Sequence, residues 1–348
     1  MREILKALVL EAYNRLVYTD IPAPVIAPDE VLIRVAAVGI CGSDVHGLDG
    51  STGRRIPPLV MGHEAAGVIE KTGEAVEGIA PGTRVTFDST IYCGRCEFCR
   101  QGKVNLCENR RVFGVSCDEY RQDGAYAELV AVPARGVYPL ADPVSFESAA
   151  CVEPLSVAVH AANRAAGISQ VNLAVVFGAG MIGQLILQVL VSRGCRRVVV
   201  SDPDHHRREL ALALGAETAL DPEKVDVAAK ILELTAGAGA GLAFDAVGID
   251  QTVTAGIGCL AKGGKLVLVG NFRPTVNLML QRTVVREIEV YGSCASAGEY
   301  PECLDLLARG AVRVEPLISA VAPLAEGPAW FDRLYRGEPG LLKVILKP

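Results

Sequence analysis

The chain has 348 residues, 50% of them apolar and 21% charged, with a formal net charge of -6 at pH 7. That length suggests two domains of roughly 100–200 residues each, and the apolar content excludes global disorder. The acidic balance, with no block of lysine or arginine, excludes the basic footprint of a nucleic-acid binder.

The N-terminal run MREILKALVLEAYNRL is interrupted by charge, and no small-residue cleavage site follows, so it does not read as a signal peptide. Residues 1–150 are rich in Gly, Pro and Val. Short strand-like runs, VLIRVAAVG (31–39) and AGVIEKTG (66–73), are separated by turn signals at Pro57-Pro58 and Pro81-Gly82. This predicts a compact, mostly β domain.

Within it lie Cys93, Cys96, Cys99 and Cys107, spaced C-x2-C-x2-C-x7-C. Four thiolates close a tetrahedral zinc site and leave no position for substrate. A ferredoxin-type iron–sulfur run would place its fourth cysteine three residues on, followed by proline. Here the gap is seven residues and Glu108 follows. The spacing therefore predicts a structural zinc that staples a lobe. The 11 cysteines are an odd number in a chain without an export signal, which reads as reduced thiols and metal ligands in a cytoplasmic protein.

Three scattered pieces hold the other candidate ligands: ICGSDVH (40–46), MGHEAAG (61–67) and CVEPLSV (151–157). Cys41, His63 and Glu153 are one thiolate, one imidazole and one carboxylate. A catalytic zinc takes three protein ligands and keeps a fourth position open. No spacing rule joins the three, and each alone reads as a core cysteine, a satisfied histidine and an exposed glutamate.

Around Pro154 apolar strands begin to alternate with helical patterns, which implies βαβ units and a parallel sheet. No charged residue lies between Arg164 and Arg193. Asn172, Gln184 and Gln188 interrupt that stretch and a glycine turn sits inside it, so it reads as a buried strand–turn–helix and not a membrane span. The turn FGAGMIG carries Gly178, Gly180 and Gly183. The first glycine allows the tight turn, the second lets backbone approach a pyrophosphate, and the third lets helix and strand pack closely. Asp202 ends the next strand at the offset of an acid that binds ribose hydroxyls, which favours NAD over NADP. Arg207 and Arg208 temper that preference, since a nearby arginine accommodates a 2′-phosphate. The glycines at 237, 239 and 241 precede a strand and read as a flexible loop. His205 and His206 read as solvated, and His160, seven residues after Glu153, as packed.

Taken together, these pieces resemble the zinc-dependent medium-chain dehydrogenases, in the branch of sorbitol and other polyol dehydrogenases and threonine dehydrogenase. Gly62-His63-Glu64, the four-cysteine lobe, Glu153-Pro154-Leu155 and the turn at 178–183 carry the resemblance, which spans essentially the whole chain. It implies an α/β protein of two domains. A GroES-like, β-rich catalytic domain takes residues 1–153, with the zinc lobe at about 90–110, and is rejoined by residues 289–348. A Rossmann doubly wound parallel-sheet domain for NAD takes residues 154–288. It further implies two Zn2+ per chain, a small-molecule alcohol substrate, and a homodimer or homotetramer built through the Rossmann domain.

The same resemblance assigns roles. Cys41, His63 and Glu153 bind the catalytic zinc, with Glu64 as an alternate ligand or one acting through water. Asp44 orients His63, and Ser43 and His46 relay the substrate proton. Ile182, Asp202, Arg207, Val269, Gly270, Asn271, Ser293 and Cys294 fall where the family contacts NAD. The implied reaction oxidises a secondary alcohol of a polyol, sugar or sugar derivative to a ketone, with hydride passing to NAD+.

Two other readings stand beside it. L-threonine 3-dehydrogenase usually carries G-N-A-V-H after the carboxylate, against Ser156-Val157-Ala158-Val159-His160 here. A non-catalytic zinc protein would use only the cysteine lobe, which the Cys41/His63/Glu153 set speaks against. Sorbitol itself fits poorly, because Ala295 and Ser296 stand where sorbitol enzymes carry an Arg-Tyr pair. The loop STGRRIPP suggests Arg54 and Arg55 as a guanidinium pair for a phosphate or carboxylate on the substrate, against the plainer reading of two solvated arginines.

Overall fold

The computed structural model describes residues 4–348 and divides into two compact units. The first contains residues 4–153, 300–308 and 314–348; the second contains residues 154–299 and 309–313.

The first unit is built on a seven-stranded sheet. Its central strand, Glu30–Gly39, pairs antiparallel with Glu64–Thr72 and with Leu129–Pro133. At its Val38–Gly39 end it is also paired antiparallel with the last strand of the chain, Lys343–Lys347, with Ile345 opposite Gly39. Alternating apolar side chains from these strands, including Val31, Ile33, Val35, Val38 and Ile69, fill one core with Leu8, Phe87, Tyr126 and Phe331. The register has one functional consequence. Gly39 faces Glu64, so the residues just past the end of one strand, Ile40 and Cys41, lie beside the residues that open the next, His63 and Glu64.

The second unit is a six-stranded, wholly parallel sheet. Across the sheet the strands run Thr218–Leu220, Val198–Ser201, Ala174–Phe177, Ala240–Asp245, Leu260–Leu268 and Glu289–Gly292. That is the 3-2-1-4-5-6 order of a dinucleotide-binding sheet. Ala174–Phe177 and Val198–Ser201 are buried throughout, as expected for strands covered on both faces. Asp204 and Asp226 start helices His205–Ala213 and Val227–Leu234 by accepting the N–H groups of Arg207 and Ala229.

One expectation changes and a second is narrowed. The return to the first unit comes at Tyr300 and not at residue 289, because Glu289–Gly292 hydrogen-bonds to Leu260–Leu268 as the last parallel strand. Of the glycines at 237, 239 and 241, the first two lie in the turn before strand Ala240–Asp245 as expected, and only Gly241 lies within the strand. Among the described residues no helix is long and apolar enough to cross a membrane.

Candidate functional site

The strand register gathers the donor set. Cys41 stands immediately before helix Gly42–Gly47, and His63 and Glu64 lie at the start of the neighbouring strand. One ligand atom from each of Cys41, His63 and Glu64 lies within 4.8 Å of the others. Glu153, in the first turn of helix Val152–Ala165, stands outside that group, and its Oε1 accepts the Ser89 hydroxyl at 3.1 Å. It still acts on the site electrically. Burial and the Glu64 charge push the Glu153 carboxyl up, while His63, Ser89 and Lys343 pull against them.

Behind the donors is a sealed polar network. Asp44 is fully buried, and its Oδ2 accepts the Tyr126 hydroxyl at 2.8 Å. Its Oδ1 accepts two bonds from Arg55, from Nε at 3.1 Å and Nη2 at 2.7 Å. His63 Nδ1 faces Asp44 Oδ2 at 3.5 Å, outside hydrogen-bond geometry, and is otherwise without a partner. Burial drives the Asp44 carboxyl up, but the charges of His63 and Arg55 and the bonds from Arg55 and Tyr126 bring it below its ordinary value. For His63 burial works downward, yet Asp44, Cys41 and Glu153 raise it to about 10. So much negative charge around one imidazole is a setting that favours a divalent cation. A thiolate, an imidazole and a carboxylate together fit zinc.

Arg55 overturns the expectation of a guanidinium pair facing substrate. Only Arg54 is exposed; Arg55 is 4% exposed and committed to Asp44. Ser43 and His46 lie exposed on the short helix Gly42–Gly47, and the Ser43 hydroxyl donates to Cys41 Sγ at 3.2 Å. A residue that sequence reading missed is Lys343. Its Nζ donates to Glu64 Oε2 at 2.5 Å and to Ile40 O at 3.0 Å. The signal was a lysine at the head of the apolar run VIL in the strand-like tail.

The four lobe cysteines also converge, with one sulfur from each within 4.8 Å of the rest. Backbone N–H groups of Arg95 and Cys96 favour the Cys93 thiolate and bring it down to about 6. With four sulfurs and no open position, this set is suited to holding a metal and not to working on substrate.

In the second unit the expected nucleotide contacts collect at the carboxyl ends of the parallel strands, where such sheets bind ligands. Gly178 follows Phe177, Asp202 follows Ser201, Val269 to Asn271 follow Leu268, and Ser293 and Cys294 follow Gly292. Gly178 has φ +86°, and a Cβ on Gly183 would lie 1.8 Å from Gly178 O, so both positions need glycine. A Cβ on Gly180 would meet nothing within 4 Å, which is the open side a phosphate could use. Ile182 lies half-buried in the first turn of helix Met181–Ser192. Asp202 is buried, with Oδ2 accepting Ala179 N–H at 2.7 Å and Oδ1 accepting Asp204 N–H at 2.8 Å. Arg208 is taken up by Asp221 at 3.0 Å and by two backbone carbonyls, so it is not available to a 2′-phosphate. His160 is packed as expected, its Nδ1 2.7 Å from Glu299 Oε1.

Two family models match the chain. "Alcohol dehydrogenase GroES-like domain" covers residues 27–142, and "Zinc-binding dehydrogenase" covers residues 182–309. A D-arabitol-phosphate dehydrogenase of Enterococcus avium is 33% identical over 96% of this chain and 94% of its own length. D-xylulose reductase A of Aspergillus niger is 35% identical over 95% of this chain and 93% of its own. A zinc-binding dehydrogenase of Sinorhizobium meliloti 1021, solved bound to NADP, superposes with a TM-score of 0.91 at 31% identity and covers 100% of both chains. With a GroES-like unit, a dinucleotide-binding sheet, a mixed donor set and relatives matched along nearly its full length, the chain belongs to the zinc-binding medium-chain alcohol dehydrogenases.

Proposed function

We propose that this protein oxidises a secondary hydroxyl of a polyol, sugar or sugar derivative to the ketone, with NAD+ as hydride acceptor. The convergence of Cys41, His63 and Glu64 within 4.8 Å carries the reading. Cys41 and His63, with Glu64 or Glu153, would hold a catalytic zinc, which when bound makes a substrate hydroxyl acidic near neutral pH. The chain's own residues supply the rest. Asp44 orients the His63 ring. Ser43, beside Cys41, accepts the hydroxyl proton as it passes its own to His46, three residues along the same short helix and exposed like it. The turn at Gly178–Gly183 and the start of helix Met181–Ser192 seat the cofactor pyrophosphate, and Asp202 takes the ribose hydroxyls. The cysteine lobe would hold a second, structural zinc.

The names of the relatives, a pentitol phosphate enzyme and a ketopentose reductase, support a pentitol-sized substrate, free or phosphorylated. The test is NAD+ reduction by zinc-loaded protein over pentitols, hexitols, their phosphates and threonine. Turnover confined to polyols or their phosphates is expected; turnover of threonine alone, or of none, overturns the reading.

We also propose a homo-oligomer in the cytoplasm. All 11 cysteines are free, in keeping with that compartment. Strand Glu289–Gly292 is a sheet edge, and in helix Leu280–Val285, which precedes it in the chain, Leu280, Val284 and Val285 are 65%, 65% and 73% exposed. A second copy pairing edge to edge would cover them. Val285→Lys should shift the sedimenting mass towards the monomer.

A further inference from the structure

We propose that Arg55 is a positioning residue for the metal centre, acting through Asp44 on His63. The inference rests on the reading of Cys41, His63 and Glu64 as zinc ligands. Arg55 is a buried cation that touches no ligand. It spends Nε and Nη2 on Asp44 Oδ1, reaches Ser43 Oγ at 3.4 Å with Nη2, and donates Nη1 to Arg54 O at 3.0 Å.

Its place is built. A Cβ on Gly47 would lie 2.4 Å from Arg55 Cγ, so the helix Gly42–Gly47 is notched to admit the side chain. The backbone on either side is pinned, with Ser116 N–H donating to Arg54 O at 3.2 Å and Ile56 N–H to Ser116 O at 3.1 Å.

Geometry divides the work of the Asp44 carboxylate. Arg55 holds Oδ1, and Tyr126 holds Oδ2 on the side that faces His63 Nδ1. Arg55 and Tyr126 hold the carboxylate by both oxygens and so fix its plane, which the single bond from Tyr126 would leave free to rotate. Without Arg55 a fully buried carboxylate loses its only full counter-charge other than the ring it should orient. It would then turn about its remaining bond to Tyr126, and the ring presented to the metal is misplaced. The reach to Ser43 ties the proposed relay hydroxyl to the same anchor.

The experiment measures zinc content and chelator competition on full-length, zinc-loaded wild type, Arg55→Met, Arg55→Lys, Asp44→Asn and the Asp44→Asn/Arg55→Met double variant. Wild type should hold two zinc ions, one yielding to chelator more readily. Arg55→Met should weaken that labile zinc about tenfold, the lower end for residues that support metal ligands, and leave the lobe zinc in place. Arg55→Lys should recover part of the loss, since it restores charge but not the fork. In the Asp44→Asn background Arg55→Met should weaken zinc no further.

If wild type holds two ions and Arg55→Met keeps both as tightly, with or without a lower Tm, the role of Arg55 is refuted while the zinc reading stands. Added weakening in the Asp44→Asn background refutes it equally. The double variant strands neither buried charge, so it keeps the comparison with Asp44→Asn open where Arg55→Met alone does not fold. A wild type that holds only the lobe zinc refutes both readings.

Discussion

Lys343, in the last strand of the chain, bonds Glu64 Oε2 at 2.5 Å, and the two side chains are 3% and 1% exposed. The partners come from opposite ends of the sequence, brought together where Ile345 pairs with Gly39. The fit is close on every side: a Cβ on Gly39 would strike the Glu64 carboxylate. The Lys343 ammonium is held charged against its burial by Glu64, Cys41 and Cys151. Removing one member strands the other in the interior, which costs roughly 3–5 kcal/mol. Lys343→Met should lower stability by that order, and adding Glu64→Gln should restore part of it. Trp330, the only tryptophan, lies in helix Gly327–Tyr335 of the same unit, so its fluorescence during urea unfolding reads the effect. Equal midpoints for wild type and Lys343→Met would contradict it.

The two metal sets should separate under mutation. Cys96→Ser breaks a closed set of four sulfurs, and a metal held there would contribute folding energy. The protein should lose one of two zinc ions and about 5–10 °C in Tm, while folded protein at low temperature keeps most of its turnover. Glu153→Ala should do the reverse, removing turnover while the melting curve stays close to wild type. Iron in the purified protein, or unchanged zinc in Cys96→Ser, would contradict the assignment.

What could be read from sequence was what is local. The four-cysteine spacing and the glycine turn each sit within one short segment, and the physics that demands them, tetrahedral closure and room for a phosphate, acts over that same segment. The donor set is different in kind. Cys41 and His63 meet because two strand ends share a register, so no spacing announces them, and only the family resemblance joined them in advance. Burial was the hardest property to read. Arg55 sits among Gly, Ser and Pro, a composition typical of solvent, yet the notch at Gly47 takes it inside. Tyr126 gave no signal, since a hydroxyl meeting a carboxylate 82 residues away leaves no local pattern. Glu289–Gly292 misled about the domain boundary because an edge strand, exposed along most of its length, lacks the continuous apolar run of its neighbours.

Asp202 should set the cofactor preference. Each of its oxygens already accepts one backbone N–H, which aims the carboxylate and leaves lone pairs for two ribose hydroxyls. A 2′-phosphate would meet that charge, and Arg208, which could offset it, is already paired with Asp221. Asp202→Ala should cost NAD+ about tenfold in kcat/KM, as expected for hydrogen bonds to a charged group, and cost NADP+ less. Kinetics with both cofactors at equal concentration give the ratio; faster wild-type turnover with NADP+ would reverse the assignment.

The pairing of His160 with Glu299 should give the second unit a pH-dependent element. Glu299 is 8% exposed and bonds His160 Nδ1 at 2.7 Å, Asn163 Nδ2 at 3.3 Å and the backbone N–H of Ala297. Burial pushes its carboxyl up, but the bonds from His160, Ala297 and Asn163 and the His160 charge leave it below its ordinary value. A carboxyl held low in the fold binds protons less readily there than in the unfolded chain. Its contribution is therefore complete above the unfolded value, about 4.3, and is lost as pH falls through the lower folded value. Glu299→Gln keeps the shape but not the charge, and should cost about 1.5–3 kcal/mol near neutral pH. Thermal melts of both proteins from pH 7 down to pH 3.5 should show a gap that is steady at first and closes below about pH 4. A gap that widens as pH falls below about 4 would mean that Glu299 is protonated in the fold.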